Sequence, residues 1–216
     1  NKLEGLHMTR LEKCCIEMGI TPNRITASRL VLAPVALFFQ QLGGGWLGFC
    51  LLAIICAEVS DAIDGYLARR WKMQTPFGKL FDPMADTGFH LTLFCGFIGS
   101  GWMPWWFLPI FYWRDLLSSI LRTYIAAEDK EAMPARPSGK YKTASQGTAQ
   151  IGTVALYWFV PLSAWSEFFP LYYACISLMA CSLIITAISA VDYGYHAYIV
   201  SLKKRIAPDS SNASPA

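Results

Sequence analysis

Residues 46–70, WLGFCLLAIICAEVSDAIDGYLARR, run from an apolar stretch into a charged end. The first fifteen residues are apolar enough to lie in lipid, yet the last ten carry two aspartates and two arginines. Two further aspartates, Asp82 and Asp86, open the next apolar run. Because ionisable side chains are costly inside a membrane, they usually mark a functional site there. These two segments therefore decide both the expected fold and the place to look for a site.

The composition favours an integral membrane protein. Hydrophobic residues make up 54% of the 216 residues and charged residues only 15%, whereas soluble domains carry about 25% charged residues. The mean hydropathy is +0.35. A net charge of +3 is too small to indicate a nucleic-acid partner. The seven cysteines form no CxxC pair, which argues against a zinc site or a disulfide framework.

Six apolar runs are long enough to cross a bilayer as helices, which takes roughly 17–25 residues each. Lysine and arginine are concentrated in both termini and in the links after the second and fourth runs. By the positive-inside rule, both termini and these two links are cytoplasmic. The sequence therefore predicts an all-α integral membrane protein with six transmembrane helices, near residues 25–42, 46–69, 79–99, 104–126, 143–163 and 169–200.

Three regions are expected along the chain. Residues 1–22 predict an N-terminal amphipathic helix on the membrane surface, because apolar residues recur there at helical spacing with charged residues between them. An ordinary surface helix is the alternative. Residues 23–205 form the six-span domain, and the polar residues 206–216 form a disordered tail.

Four aspartates fall on two neighbouring helix faces. Asp61 and Asp64 lie three residues apart, and Asp82 and Asp86 lie four apart, so each pair shares a face. The short link between the two runs makes the helices antiparallel neighbours, which brings the carboxylates together in a polar cavity that faces the cytoplasm. Unpaired carboxylates at such a site would repel one another. Divalent cations would resolve the conflict, and hard oxygen ligands suit Mg²⁺ or Mn²⁺.

Ion pairing is the alternative explanation for the aspartates. Arg69, Arg70 and Lys79 lie close to them in sequence. These cations are near the link, however, and would leave the deeper carboxylates unpaired. The sequence therefore favours metal binding.

The full pattern is D-x-x-D-G-x-x-A-R, eight residues, then G-x-x-x-D-x-x-x-D, ending at Asp86. Gly65, Ala68 and Gly78 reduce side-chain bulk beside the carboxylates, which leaves room for a nucleotide against the backbone. With Arg69, the pattern resembles the signature of the CDP-alcohol phosphotransferase family at every fixed position. The six-span layout with an N-terminal surface helix is also similar to that family.

The resemblance implies a reaction in which a CDP-linked lipid binds with its pyrophosphate on two Mg²⁺ or Mn²⁺ ions. An acceptor hydroxyl attacks the lipid phosphoryl group, and CMP leaves. Asp61, Asp64 and Asp82 would hold one ion, while Asp61, Asp82 and Asp86 would help hold the second. Asp86 would also be the general base. Gly65, Ala68, Arg69 and Gly78 would bind the nucleotide, and a homodimer is expected.

Flanking stretches narrow the expected acceptor. PNRITASRLVLAP (22–34), FYWRDLLSSILRTYIA (111–126) and SGKYKTASQ (138–146) resemble the bacterial phosphatidylglycerophosphate synthases of that family, as SAVDYGY (189–195) does more weakly. This resemblance implies CDP-diacylglycerol and glycerol 3-phosphate as substrates, in the bacterial cytoplasmic (inner) membrane. One residue departs from the pattern, because Thr87 stands where such synthases commonly carry a lysine.

A dianionic acceptor needs fixed positive charge in its pocket. An unpaired arginine in mid-span is costly, so Arg114 is the first candidate, although it could instead pair with Asp115 or Glu58. Lys140 and Lys142 could be ordinary cytoplasmic flanks of a span, and Arg122 could extend its side chain to the membrane interface. The candidate phosphate-binding residues are Arg114, Lys140, Lys142 and Arg122.

Two other functions remain open at this point. The same reaction could use another acceptor, such as inositol phosphate, serine or another polyol. Intramembrane carboxylates also mark ion paths, so a divalent-cation transporter is a second alternative, although it leaves Gly65, Ala68 and Gly78 unexplained.

Overall fold

The computed structural model describes residues 21–71, 75–129, 137–160 and 169–206. All regular structure in these ranges is helical, which confirms the all-α prediction. A single 3₁₀ turn, Gly44–Trp46, joins the first two α-helices. The α-helices are α1 (Pro22–Leu42), α2 (Leu47–Arg70), α3 (Pro76–Gly99), α4 (Phe107–Asp129), α5 (Pro137–Phe159) and α6 (Phe169–Ile206).

Local sequence sets the ends of the helices around the aspartates. Thr75 caps α3, because its hydroxyl accepts a hydrogen bond from the Gly78 N–H at 2.9 Å, and Pro76 follows at the first helical position. At the end of α1, Gly43 adopts a φ of 65°, which glycine tolerates best. The sequence predicts α2 and α3 as direct neighbours, but each of these helices packs mainly against α1.

The helices form one bundle. α1 packs against α2 and α3, α2 also packs against α5, and α6 packs against α4 and α5. Small, aliphatic and aromatic side chains fill the interior, including Ala36, Ile54 and Phe94. The rings of Phe94 on α3 and Phe111 on α4 stack with centroids 4.5 Å apart. This packing fixes the positions of the helices that carry the aspartates.

Three segments in the described ranges are long and apolar enough to cross a membrane: Pro22–Leu42, Gly44–Arg70 and Tyr172–Ile199. They coincide with the first, second and sixth predicted spans. Helices α3, α4 and α5 occupy the other three predicted positions, but they are not among these segments, and six spans therefore stay a prediction. Of the predicted surface helix at 1–22, only Thr21 and Pro22 lie within the described residues. Of the predicted tail at 206–216, only Ile206 does.

Candidate active site

A cavity of about 400 Å³ lies between α2, α3, α4 and α5. It is near the end of the bundle where α2 ends and α3 begins, and where α5 begins. Charged side chains of both signs dominate its lining. They are Glu58, Asp61, Asp82, Asp86, Arg114, Asp115, Lys140 and Lys142.

Three of the four signature carboxylates are close together. One oxygen each from Asp61, Asp64 and Asp82 lies within 4.8 Å of the other two. Carboxylate oxygens are the hard ligands that Mg²⁺ and Mn²⁺ prefer, so this donor set fits a divalent cation. Asp86 lies one helical turn further along α3 and lines the same cavity. The predicted helix faces therefore bring the aspartates to one place.

Arg29 is an important residue that the sequence analysis did not select. Its guanidinium, on α1, contacts Asp61 at 2.5 Å, Asp64 at 2.7 Å and Asp82 at 2.6 Å. The hydroxyl of Thr26 also donates to Asp64, at 2.7 Å. The argument that the deeper carboxylates would be unpaired was wrong, because it considered only cations near the link. A lone arginine in an apolar run was the available signal.

Asp86 has its own set of polar neighbours. His90 Nε2 lies 3.2 Å from Asp86 Oδ1 and 3.8 Å from Glu58 Oε1. On the other side of the ring, Nδ1 is 2.8 Å from Gln150 Oε1, and the Gln150 amide donates to the His90 carbonyl at 3.1 Å. The sequence analysis assigned no role to His90 or Gln150, although both interrupt apolar runs. Together they fix the position of the imidazole beside Asp86.

Two of the four predicted acceptor-binding cations meet at one carboxylate. The buried side chains of Arg114 and Lys142 donate to Asp115 at 3.0 and 2.9 Å. Thr87 donates to the same carboxylate at 3.2 Å. Lys140 is exposed and lines the cavity with them. The alternative pairing of Arg114 with Asp115 is therefore present, and it holds the cation at the cavity wall.

Helix α6 also contacts Arg114. Arg114 donates to the hydroxyl of Ser189 and lies 5.5 Å from the centre of the Tyr193 ring. The contact explains how the SAVDYGY stretch takes part in the site. Arg122 lies in α4, but its side chain is outside the described part of the chain.

Comparison with known proteins identifies the family. The family model for CDP-alcohol phosphatidyltransferase matches residues 19–188. The chain belongs to this family. The predicted resemblance is thereby confirmed.

Three bacterial members of the CDP-alcohol phosphatidyltransferase family illustrate the similarity. A Mycobacterium tuberculosis (strain H37Rv) protein named "Probable phosphatidylglycerophosphate synthase" is 34% identical over 177 residues, which cover 79% of this chain and 78% of the relative. Proteins named CDP-diacylglycerol–glycerol-3-phosphate 3-phosphatidyltransferase match from Escherichia coli K12 and Mycoplasma pneumoniae. The first is 32% identical, with 80% and 91% of the two chains covered. The second is 30% identical, with 82% and 85% covered.

The small residues of the family signature have different surroundings. A Cβ atom at Gly65 would meet only the Arg69 guanidinium, at 3.9 Å, so there is room beside α2 at this position. At Gly78, a Cβ atom would lie 2.7 Å from the side-chain oxygen of Asn23. Gly78 therefore allows close packing of α1 on α3, whereas Gly65 leaves the open space that the sequence analysis expected for a nucleotide.

Proposed function

We propose that this enzyme transfers the phosphatidyl group of CDP-diacylglycerol to glycerol 3-phosphate, giving phosphatidylglycerophosphate and CMP. The observation that carries the proposal is a single cavity that brings together three of the four signature carboxylates, Asp61, Asp82 and Asp86, and a separate group of cations. The family membership supports the reaction type. The names of the bacterial relatives support the donor and the acceptor.

The carboxylates provide the metal ligands in this proposal. Asp61, Asp64 and Asp82 would hold one divalent cation, and Asp61, Asp82 and Asp86 would help hold a second. When bound, Mg²⁺ or Mn²⁺ would neutralise pyrophosphate charge and stabilise the attacking and leaving oxygens. The oxygen-only donor set and the mutual distance of 4.8 Å or less for the first three carboxylates support this role.

Asp86 is the proposed general base. It lines the cavity and can take the proton of the acceptor hydroxyl as its oxygen attacks the lipid phosphorus. The bond from this phosphorus to the CMP oxygen breaks, and CMP carries away the bonding electrons. The imidazole of His90, at 3.2 Å, holds the Asp86 carboxylate in place. Positioned proton transfer of this kind typically contributes about 10²–10⁴-fold to the rate.

Arg114, Lys140 and Lys142 are the proposed ligands of the acceptor phosphate. Arginine can bind two phosphate oxygens with its planar fork, while lysine acts as a point charge. Asp115 accepts from both Arg114 and Lys142, so it orients the two cations toward the same wall of the cavity. This arrangement supports an acceptor that carries a phosphate dianion over serine, which has no phosphate group.

The proposed enzyme is a six-span homodimer in the bacterial inner membrane, with both termini and the cavity on the cytoplasmic side. The cavity lies near the helix ends that join the two links rich in lysine and arginine. The positive-inside rule places such links in the cytoplasm. Water-soluble glycerol 3-phosphate would then reach the site directly.

CMP release from CDP-diacylglycerol with a panel of acceptors tests the function. We expect release with glycerol 3-phosphate and little with inositol phosphate, serine or glycerol. Turnover with one of these others alone would refute the acceptor assignment while keeping the reaction type. Magnesium uptake by proteoliposomes without any CMP release would favour the transporter alternative.

Removing divalent cations tests the metal requirement. We expect excess EDTA to abolish CMP release, because the clustered carboxylates then have no cation with which to bind the pyrophosphate. Added Mg²⁺ or Mn²⁺ should restore release, whereas added Na⁺ at equal ionic strength should not. Full activity in EDTA would contradict the proposed role of the carboxylates.

A further inference from the structure

Arg29 of α1 forms ion pairs with three of the four signature aspartates. It is 1% exposed, and it contacts three carboxylates that come from two other helices. A buried arginine needs partners because of its desolvation cost, and three partners exceed what its single charge requires. The contacts therefore serve the carboxylates, which would otherwise repel one another.

The guanidinium of Arg29 donates its hydrogen bonds to carboxylates of the family signature. In the described ranges, Nη1 donates to Asp61, and Nη2 donates to Asp64 and Asp82. Its buried Nε has no hydrogen-bond partner there. Nothing else polar anchors the guanidinium within these ranges, so its position depends on the oxygens that the proposed function assigns to a metal ion.

We propose that Arg29 is a built-in counter-ion that opposes binding of the divalent cation and so sets the affinity of the site. The proposal rests on the proposed function, since it takes Asp61, Asp64 and Asp82 as metal ligands. Arg29 pairs with these carboxylates and thereby stabilises the packing of α1 against α2 and α3. A divalent cation must then compete with the guanidinium charge for the same oxygens. The protein therefore binds the metal more weakly than the three carboxylates alone would.

The test measures Mn²⁺ binding to the purified full-length protein in detergent, without substrates. The electron paramagnetic resonance signal of free Mn²⁺ reports how much of the ion stays unbound. We expect Arg29→Gln to bind Mn²⁺ about ten- to hundredfold more tightly than the wild type, because a charge-assisted contact is removed from each ligand. The metal-free variant should unfold at a lower temperature, and Mn²⁺ should raise its unfolding temperature more than that of the wild type.

Arg24→Gln is the matched control, since Arg24 is exposed on the same helix and its loss changes the net charge equally. Its Mn²⁺ affinity should stay within about twofold of the wild type, because exposed charges are strongly screened. If Arg29→Gln binds Mn²⁺ equally or more weakly, Arg29 is a structural residue and the inference fails while the proposed function stands. If the wild type binds no Mn²⁺, the metal site and the inference fail together.

Arg29→Lys covers the case in which Arg29→Gln does not fold. Lysine keeps the charge but lacks the fork that reaches three carboxylates. We expect it to bind Mn²⁺ more tightly than the wild type, by a smaller factor than Arg29→Gln. Unchanged or weaker Mn²⁺ binding by Arg29→Lys would overturn the inference.

Discussion

Asp86→Asn should lower the kcat for CMP release by about three orders of magnitude or more. Loss of a general base alone typically costs about 10²–10⁴-fold, and the same substitution also weakens a proposed metal ligand. Asparagine has nearly the same size, so the bundle around His90 should remain folded. The measurement is CMP release at saturating CDP-diacylglycerol, glycerol 3-phosphate and Mg²⁺, with the unfolding temperature measured on the same preparation.

Asp192→Asn provides the matched control for Asp86→Asn. Asp192 lies on α6 and accepts a hydrogen bond from Ser138 at 2.6 Å, and it is not among the residues that line the cavity. Its kcat should stay within about threefold of the wild type, as expected for a change outside the reacting groups. A tenfold loss or less in Asp86→Asn would mean that the base is elsewhere.

The sequence predicted the carboxylate cluster because the relevant geometry is local. Spacings of three and four residues place Asp61 with Asp64, and Asp82 with Asp86, on single helix faces. In the structure, α2 and α3 each pack against α1, so the meeting of the two pairs depends on α1 as well as on the short link. Local spacing therefore predicted each pair of aspartates, and the packing of α1 against both helices brings the two pairs together.

Arg29 could not be predicted in the same way. It precedes Asp61 by 32 residues, and its pairing depends on how α1 packs against α2 and α3. Helix periodicity does not determine which neighbouring helix faces a given side chain. Only the rule that a buried arginine needs a partner pointed to it, and that rule does not name the partner.

The surroundings of Asp86 and Arg114 show the same limit. His90 contacts Gln150 across 60 residues, and Arg114 reaches Ser189 across 75. These pairs join α3 to α5 and α4 to α6, whose relative rotation follows from packing of the whole bundle. The sequence identified the charged residues of the acceptor pocket, but it could not show that Asp115 joins Arg114 to Lys142.

Arg114→Gln should raise the KM for glycerol 3-phosphate about ten- to hundredfold. A charge-assisted hydrogen bond contributes about 1.5–3 kcal/mol, and a tenfold change in affinity corresponds to about 1.4 kcal/mol. The KM for CDP-diacylglycerol should change little, because the carboxylates of α2 and α3 remain in place. Steady-state CMP release, with each substrate varied in turn, gives both constants.

Arg114→Lys separates the charge of this residue from its shape. Lysine retains the positive charge but not the planar fork, so we expect a rise in the KM for glycerol 3-phosphate smaller than that of Arg114→Gln. A structural role predicts a different pattern, since Arg114 also joins Asp115 to Ser189. Loss of that connection would disturb α4 and α6 and would move both KM values and the unfolding temperature together. A selective effect on glycerol 3-phosphate therefore identifies Arg114 as a phosphate ligand, and a parallel effect on both substrates rejects that role.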